Sequence, residues 1–377
     1  MNNPLKQIPE MGQSIWLDYI RRGFLLNGDL KALIDNDALR GVTSNPAIFE
    51  EAIAHSDDYK ETIMQLARTS LTNKQIFLNL AIEDVRTAAD IFKGVYDATA
   101  GLDGYVSLEV SPDIALDTTA TISEALSLWK ELDRPNVMIK IPATFEGLAA
   151  IKKSISEGLN VNVTLLFGLQ RYREVAEAYI EGLEERVKAG KPVDHIFSVA
   201  SFFLSRIDTM VDPMLEKIIT QGGQQADLAK TLLGKAAIAS AKMAYQIYKE
   251  LFFSERFNAL REKGANPQRL LWASTGTKNK AYSDVKYIEA LIGPDTVNTV
   301  PQDTLKAYRD HGKPAIRIEQ DIADAASAMK DLEKVGLSID SITKTLVDEG
   351  IEKFLKPFQS LMNVLAGKRK EATDLAH

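Results

Sequence analysis

The chain has 377 residues, 45% of them hydrophobic, so it can bury a large core, and its length fits either two average domains or one decorated α/β barrel. Its net charge is −7 at pH 7 and its pI is near 5.4, which argues against a general electrostatic surface for nucleic acid or for an acidic membrane. The absence of cysteine excludes disulfides, thiolate chemistry and cysteine-held metals, and the four histidines lack metal-ligand spacing, so we expect no metal site. From the N-terminus onward there is no basic-then-apolar signal pattern and no apolar run of roughly 18 residues, so we expect a cytoplasmic protein that does not enter membranes.

Short strand-like runs alternate along the chain with longer amphipathic stretches, a pattern typical of parallel βαβ units. Apolar residues at helical spacing fill most gaps between these runs, as in residues 147–158, which end on Gly158 as a plausible C-cap. Eight strands alternating with helices predict an α/β fold, a (β/α)8 TIM barrel, which we assign as a single domain over residues 1–377. The predicted strands are residues 14–20, 39–44, 104–110, 136–142, 160–166, 195–201, 269–275 and 295–301.

Three regions exceed a minimal barrel. Residues 51–98 contain two helical stretches between the second and third strands, and residues 206–266 form a helical insertion after the sixth strand. Residues 316–377 predict further helices at the C-terminus. No repeat and no low-complexity linker separates these regions from the barrel, so we expect them to pack against it.

A lysine interrupts the apolar run of the fourth strand. Alternate residues of a strand share a face, so Val137, Ile139 and Ile141 are expected to face the helices while Lys140 points into the barrel. Pro142 cannot continue a central strand, which places Lys140 near the strand's C-terminal end, where the active sites of TIM barrels lie. The alternative is a lysine at the edge of the core whose ammonium reaches solvent.

The same alternation places polar side chains late in the neighbouring strands. One such residue would mean little, but several that converge on the same end of a barrel indicate a site. These residues are Asp18 in the first strand, Thr43 and Asn45 at the end of the second, Glu109 in the third, and Asn162 and Thr164 in the fifth.

These residue types suit covalent lysine chemistry. An apolar wall around Lys140 would disfavour its ammonium and lower its pKa, which makes the amine a nucleophile. The amine could attack a ketone and lose water to form a Schiff base, while two carboxyl groups and a hydroxyl that holds a water move the protons. Because the sequence lacks obvious ligands for metal-assisted enolate chemistry, covalent catalysis by lysine is the more economical hypothesis.

Four motifs extend this pattern: GVTSNPAIF (41–49), VSLEVSP (106–112), MIKIPAT (138–144) and NVTLLF (162–167). Together they resemble the transaldolase family, in its longer bacterial form, and the resemblance runs from about Gly12 to the C-terminal helices. It implies a cofactor-free transfer of dihydroxyacetone in the non-oxidative pentose phosphate pathway. The donor would be sedoheptulose 7-phosphate or fructose 6-phosphate, and the acceptor glyceraldehyde 3-phosphate or erythrose 4-phosphate. The partners implied are phosphorylated sugars, with no nucleic acid and no membrane, and the protein would be a monomer or homodimer.

The resemblance also implies a role for each matching residue. Lys140 matches the Schiff-base lysine, and Glu109 with Thr164 matches the pair that holds the catalytic water. Asp18 matches the aspartate that takes the proton from the C4 hydroxyl as the C3–C4 bond breaks. The substrate-binding residues implied at the strand ends are Thr43, Asn45 and Asn162, the two asparagines holding either substrate hydroxyls or the surroundings of the lysine.

Phosphate binding is implied by two further segments. SVASFFLSRID (198–208) resembles the segment after the sixth strand of the family, in which a serine, an aromatic residue and an arginine recur, here Ser201, Phe203 and Arg206. Arginine suits phosphate because its planar fork binds two oxygens at once. After the seventh strand the shorter transaldolases carry an arginine, whereas WASTGTKN (272–279) keeps Ser274 and offers only Lys278 as a substitute.

Two other functions stay open from the sequence. One is a Schiff-base fructose-6-phosphate aldolase, a lyase that needs no acceptor, but its known members are shorter and lack the helical additions. The other is a barrel that has lost catalysis and serves as a binding module, which an intact set of Asp18, Glu109 and Lys140 disfavours. A fused sugar-phosphate isomerase, present in some relatives of the longer form, is not expected in 377 residues.

Overall fold

The computed structural model describes residues 3–374 and contains a closed barrel of eight parallel strands. Each strand pairs with its neighbours in sequence, and the first strand closes the barrel against the last. This confirms the predicted (β/α)8 TIM barrel with additional helices. The strands are β1 Gln13–Asp18, β2 Gly41–Thr43, β3 Tyr105–Glu109, β4 Val137–Pro142, β5 Val161–Leu166, β6 Ser198–Phe203, β7 Arg269–Ala273 and β8 Thr296–Val300.

Helices surround this barrel, and local sequence signals explain where several of them begin and end. Thr144 caps the helix that follows β4 by accepting a hydrogen bond from Gly147 N at 2.9 Å, and Gly158 ends that helix with φ +98°, as predicted. The helices are α1 Arg22–Leu26, α2 Asp29–Asp37, α3 Pro46–Ala54, α4 Lys60–Ala67, α5 Asn73–Ala98, α6 Thr118–Leu132, α7 Phe145–Glu157, α8 Leu169–Lys188, α9 Ser205–Gln221, α10 Ala226–Leu232, α11 Ala236–Phe252, α12 Glu255–Arg261, α13 Lys286–Glu289, α14 Gln302–His311, α15 Ile322–Lys334 and α16 Ile339–Asp374.

The strands are buried on both faces, because helices cover the outside of the barrel while side chains fill its interior. All six residues of β4 are buried, with Val137, Ile139 and Ile141 fully so. Parallel strands in this position are therefore rich in continuous apolar residues, and a polar residue within one of them is unusual. This burial is what makes Lys140 stand out in the sequence.

The predicted sixth strand, residues 195–201, was placed three residues too early, since β6 is Ser198–Phe203. Ile196 is fully buried in the preceding loop, so the apolar pattern continues outside the strand. Asn160 Oδ1 accepts a hydrogen bond from Phe197 N at 2.9 Å and so satisfies this backbone N–H just before the strand. As a consequence Phe203 is the last residue of the sixth strand, two residues beyond the predicted end of that strand.

The helical additions are more divided than the sequence pattern indicated. Residues 51–98 belong to three helices, α3 to α5, rather than two. The insertion forms α9 to α12, and its long apolar stretch is interrupted between α10 and α11 at Gly234, which has φ +68°. Gly234 lies too close to Tyr282 to accept a side chain, because an added Cβ would come within 2.7 Å of the ring.

The additions pack on the barrel, as expected. Helix α11 contacts α8, α9 and β7, and α15 packs on α11. Helix α16 is 36 residues long and contacts α3, α4, α5, α9 and β5. The assignment of residues 1–377 to one domain stays a prediction. Among residues 3–374, none of the helices combines the length and apolar character needed to span a bilayer.

Candidate active site

A cavity of about 230 Å³ lies at the C-terminal ends of the strands. Larger grooves of about 460 and 480 Å³ lie between α16 and the loops after β4 and β5, and between α11 and α15, but neither gathers strand-end polar groups. The smaller cavity is therefore the candidate site. Ten of the twelve predicted site residues line it: Asp18, Thr43, Asn45, Lys140, Thr164, Ser201, Phe203, Arg206, Ser274 and Lys278.

Lys140 is held inside the barrel rather than at a solvated edge. The residue is 4% exposed, and its Nζ donates to the carbonyl of Ser44 at 2.9 Å. Glu109 lies beside it in the β3–β4 register, with Oε2 3.2 Å from Nζ. The interpretation of Lys140 as a core-edge lysine reaching solvent is therefore wrong. Glu109 does not line the cavity, but its carboxylate contacts the ammonium of Lys140, which does.

The two carboxyl groups at this end of the barrel hold their protons more tightly than usual. Burial raises the pKa of Glu109, which the charge of Lys140 opposes and the charge of Asp18 reinforces. Burial also raises the pKa of Asp18, against the opposing effects of Lys140 and of the hydrogen bond from Thr43. Raised carboxyl pKa values bring both groups closer to neutral pH, where an acid–base catalyst works best.

A chain of hydroxyl groups connects Asp18 to the last strand. Thr43 Oγ1 donates to Asp18 Oδ1 at 2.8 Å and lies 2.7 Å from Thr299 Oγ1. Because Thr43 has a single hydroxyl proton and gives it to the carboxylate, Thr299 is the donor in the second contact. Thr299 lines the cavity, and sequence reasoning missed it. It is the penultimate residue of β8, so the alternation applied to the other strands could have found it.

Asn162 lies behind the cavity wall, beside Lys140 in the β4–β5 register. It is fully buried and does not line the cavity. Its Nδ2 donates to Ser107 Oγ at 3.0 Å, while its Oδ1 accepts from Ser201 Oγ at 2.6 Å. Of the two roles considered for this asparagine, these contacts favour organising the surroundings of the lysine over holding a substrate hydroxyl.

Asn45 and Thr164 reach the cavity from two other strand ends. Asn45 caps α3 through Oδ1, which accepts Ile48 N at 3.0 Å and leaves the amide nitrogen to donate elsewhere. Thr164 Oγ1 is buried and has no hydrogen-bond partner within residues 3–374. The strand is irregular directly after it, since Leu165 has φ +53° and the β5–β6 register shifts there. An unpaired buried hydroxyl of this kind can bind a water molecule.

The cations of the cavity wall come from elements after β6 and β7. Arg206 lies in the first turn of α9, 5.6 Å from the ring of Phe203 and 5.9 Å from that of Phe354. Its Nη1 is buried and has no hydrogen-bond partner in the described part of the chain. Burial lowers the pKa of Arg206, an effect opposed by Glu349 and Asp18, although a guanidinium stays charged in proteins.

The segment after β7 supplies Ser274 and Lys278. Ser274 Oγ lies 2.8 Å from Ser205 Oγ, a contact that joins this segment to the start of α9. Lys278 is exposed, and within residues 3–374 it donates no hydrogen bond and forms no ion pair. Arg206 and Lys278 are thus two cations on the cavity wall without a carboxylate partner, as a phosphate site requires.

Phe354, on α16, is a second lining residue that sequence reasoning missed. It is 5% exposed and follows the helical spacing of core residues, so nothing in its sequence context distinguishes it from packing. Only the folded chain brings this C-terminal helix to the cavity.

One group of possible metal ligands lies away from the cavity and contains a single histidine. Within residues 3–374, Glu50 and Glu51 on α3 and His55 directly after it place their donor atoms within 4.8 Å of one another. Glu51 and His55 are exposed, and none of the three lines the cavity.

The fold and cavity define the class: a (β/α)8 barrel with a buried lysine, paired to a carboxylate, at the C-terminal ends of its strands. Residues 15–365 match the family model described as transaldolase/fructose-6-phosphate aldolase. The chain is 48% identical over 377 residues to the transaldolase of Trichodesmium erythraeum, with 99% of each chain covered. It is 49% identical over 373 residues to a transaldolase 2 of a Nostoc species, covering 98% of each chain. It is 46% identical over 367 residues to the transaldolase of Thermobifida fusca, covering 97% of this chain and 98% of that one. The chain belongs to the transaldolase/fructose-6-phosphate aldolase family, which confirms the resemblance inferred from the motifs.

Proposed function

We propose that this protein is a transaldolase, which moves a dihydroxyacetone unit from sedoheptulose 7-phosphate or fructose 6-phosphate to glyceraldehyde 3-phosphate or erythrose 4-phosphate. One observation carries the proposal: the buried Lys140 Nζ lies 3.2 Å from Glu109 Oε2 at a cavity that Asp18 also lines. A nucleophile, a proton acceptor beside it and a second carboxyl group are what Schiff-base cleavage of a ketose needs.

The first half-reaction begins with a proton transfer. Glu109, whose pKa is raised by burial, takes a proton from the Lys140 ammonium and leaves a neutral amine. The amine attacks the C2 carbonyl of the donor to give a carbinolamine. Loss of water then forms the protonated Schiff base, with Glu109 supplying the proton to the leaving hydroxyl and a water on Thr164 Oγ1 relaying it.

Carbon–carbon cleavage follows on the imine. Asp18 takes the proton of the C4 hydroxyl, the C3–C4 bond breaks, and its electron pair moves into the iminium as an enamine on Lys140. The shortened aldose leaves and the acceptor aldehyde enters. The enamine carbon attacks the aldehyde carbon, Asp18 returns its proton to the new alkoxide, and hydrolysis of the imine releases the product and the free lysine.

Substrate hydroxyls and phosphate would be held by the rest of the wall. Asn45 has a free amide nitrogen for a sugar hydroxyl, and Thr43 orients Asp18 for the C4 proton. The phosphate would bind at Arg206 and Lys278, which lack carboxylate partners within 4.0 Å in residues 3–374. Ser201, Phe203 and Ser274 line the same wall.

The family includes fructose-6-phosphate aldolase as well as transaldolase. Full-length relatives at 46–49% identity carry the transaldolase name, which favours transfer to an acceptor over release of free dihydroxyacetone. We extend the proposal to a cytoplasmic location and to the non-oxidative pentose phosphate pathway, since phosphorylated sugars are the substrates of the family. The predicted monomer or homodimer stays a prediction.

Trapping the covalent intermediate tests this proposal. Borohydride added with fructose 6-phosphate, in the absence of an acceptor, should reduce the imine and attach a dihydroxyacetone fragment to the peptide that contains Lys140. Peptide mass spectrometry should find no adduct in Lys140→Met, and a label on another lysine would overturn the assignment. Erythrose 4-phosphate supplied before borohydride should discharge the intermediate faster than water does, and a rate independent of acceptor would favour the lyase. A chelator such as EDTA should leave turnover unchanged.

A further inference from the structure

Two buried aspartates on α9 hold the loop that carries Lys278. Asp212 is 5% exposed and accepts the hydroxyl proton of Tyr282 at 2.7 Å on Oδ2. Its other oxygen accepts the backbone N–H of Gly234, between α10 and α11, at 2.8 Å. A single carboxylate therefore joins the start of the helical insertion, its middle and the loop after β7.

Asp208 repeats this arrangement one helical turn earlier. It is 3% exposed, and its Oδ2 accepts both Lys286 Nζ and Tyr287 Oη at 2.7 Å. Its Oδ1 accepts the N–H of Ala237 at 2.8 Å. The ammonium of Lys286 also lies 4.0 Å from the centre of the Tyr282 ring, so the two aspartate clusters are contiguous. Charge-assisted hydrogen bonds of this kind are short and directional, and they define geometry better than apolar packing does.

The loop between these anchors and the cavity, residues 277–283, is held by hydrogen bonds within the loop. Thr277 Oγ1 donates to the carbonyl of Ser283 at 2.8 Å, and Asn279 Oδ1 accepts Ala281 N at 2.9 Å. Lys278 lies inside this closed segment, four residues before the Tyr282 anchor. It lines the cavity on one side and a groove with Asp208 and Asp212 on the other. The position of Lys278 thus depends on where Tyr282 is held.

The same helix carries the other cation of the wall. Arg206 is two residues before Asp208 in α9, so the aspartates that anchor the loop are rigidly connected to the guanidinium. Hydrogen bonds donated by Tyr282, Tyr287 and Lys286 to the aspartates of α9 therefore connect the region after β7, which carries Lys278, to the helix that carries Arg206.

We propose that the helical insertion is part of the phosphate site, and that Asp212 and Tyr282 are positioning residues that place Lys278 opposite Arg206 for the phosphate of a sugar substrate. The inference rests on the proposed function, since its ligand is the phosphate group of that substrate. It assigns to residues 206–266 a role in substrate selection rather than in covering the barrel alone. An ammonium is a point charge without the fork of arginine, so its location must be set by the surrounding structure.

Tyr282→Phe is the sharpest variant, because it removes one hydroxyl and keeps the ring that contacts Lys286. We expect KM for the phosphorylated acceptor to rise about 5- to 20-fold with kcat nearly constant, less than the full loss of a hydrogen bond to a charged group, because Tyr282 acts on the phosphate only through Lys278. KM for unphosphorylated glyceraldehyde should stay unchanged. Loss of general stability would instead affect both acceptors alike.

A double-mutant cycle with Lys278→Ala decides whether Tyr282 acts through the lysine. If it does, Tyr282→Phe should change KM by less than about twofold in the Lys278→Ala background, because the group that it positions is absent. If the fold-changes in KM of the two single variants instead multiply in the double variant, the inference is wrong. Tyr245→Phe is the matched control, since it removes a tyrosine hydroxyl that donates to the carbonyl of Pro294 at 3.1 Å, away from this loop.

Binding of inorganic phosphate, followed by calorimetry, gives a readout without turnover. We expect Tyr282→Phe and Lys278→Ala to weaken phosphate binding, with no further loss in the double variant. If Tyr282→Phe does not fold, Asp212→Asn replaces it, with the same expected loss. Phosphate binding that is indifferent to these substitutions would refute the positioning role. Conversely, Tyr282-dependent phosphate binding in a protein that transfers no dihydroxyacetone would refute the proposed function and leave the positioning role standing.

Discussion

Two buried ion pairs occupy opposite ends of the same barrel. Arg269 and Asp103 meet at 3.2 Å at the N-terminal ends of the strands, and Lys140 and Glu109 meet at 3.2 Å at the C-terminal ends. All four residues are at most 8% exposed. Distance and burial do not distinguish the pairs, so the difference between them lies in the remaining hydrogen bonds.

The N-terminal pair is almost fully hydrogen-bonded. Arg269 donates to the carbonyls of Leu102 and Thr296, to Asp103 Oδ1 and to Ser14 Oγ, and Nε is its one nitrogen without a partner. Ser14 in turn donates to the second oxygen of Asp103 at 2.8 Å. A buried charge pair that is satisfied in this way resists rearrangement, because any movement leaves a charge unpaired.

The C-terminal pair is held by far fewer contacts. Lys140 has one hydrogen bond, to the carbonyl of Ser44, and the Oε2 atom of Glu109 lacks hydrogen-bond geometry to any partner in residues 3–374. The pair adjoins a cavity in place of further donors and acceptors. The fully hydrogen-bonded ion pair therefore stabilises the fold, whereas the pair with unused hydrogen-bonding capacity is available for chemistry.

The largest expected effect comes from Lys140→Arg. The guanidinium keeps the positive charge beside Glu109 but cannot form an imine at neutral pH, so kcat should fall on the order of 10⁴-fold or more. Circular dichroism and thermal unfolding should show a folded protein with a similar Tm. Substantial remaining activity in Lys140→Arg would mean that this pair is structural, like its counterpart at the other end.

Glu109→Gln should have the next largest effect. The amide cannot exchange protons with Lys140, so imine formation and imine hydrolysis should slow about 10²- to 10³-fold, within the range for general acid–base groups. Stopped-flow kinetics of imine formation would measure this change, while the affinity for inorganic phosphate serves as the control and should stay the same. A loss confined to phosphate affinity would contradict the proton-transfer role.

Arg269→Met should act on stability instead of turnover. Removing one partner leaves Asp103 buried and unpaired, which should lower the free energy of unfolding by about 3–5 kcal/mol in urea titrations. The folded fraction should keep kcat within about twofold, because Arg269 makes no contact with the cavity. An Arg269→Met protein with an unchanged free energy of unfolding but a much lower kcat would contradict the structural role of this pair.

The smallest effect concerns pH. Asp18 must be ionised to take the C4 proton, and burial raises its pKa above the ordinary value of 3.8, so kcat/KM should decline with acidification at higher pH than for an exposed aspartate. Thr43→Val removes a hydrogen bond to the charged form and should move this acid limb upward by roughly 0.5–1 unit, equivalent to about 1 kcal/mol. A pH–rate profile measures the shift, and Tyr245→Phe should leave it in place.

Protonation of Asp18 changes stability and activity in opposite directions. Because the pKa of Asp18 is raised on folding, the folded protein binds the proton more tightly than the unfolded chain does. The resulting stabilisation is fully present below the unfolded-state pKa and is lost as pH rises through the folded-state pKa. Asp18→Asn should therefore inactivate the protein without lowering its Tm at neutral pH. A marked drop in Tm would show that the ionised carboxylate stabilises the fold.

Much of the architecture could be predicted because strand periodicity and strand ends are local properties. Alternation within β4 and the position of Pro142 were enough to point Lys140 inward at the catalytic end, and the structure has it there. The start of β6 was placed wrongly because buried Ile196 continues the apolar pattern in a loop, where the side chain of Asn160 accepts the backbone N–H of Phe197.

The amino-acid sequence alone determined the existence and order of the eight strands and most of their inward-facing polar residues, since each depends on residues close together in the chain, and its motifs determined the family. Only the tertiary structure brought Phe354 to the cavity, joined Thr299 to Thr43, and tied Tyr282 to Asp212. These contacts join residues 70 to 256 positions apart or bring a distant helix to the site, and no local periodicity records them. Packing decided them, because hydrogen-bond partners across such separations are chosen by which surfaces meet when the helices close over the barrel.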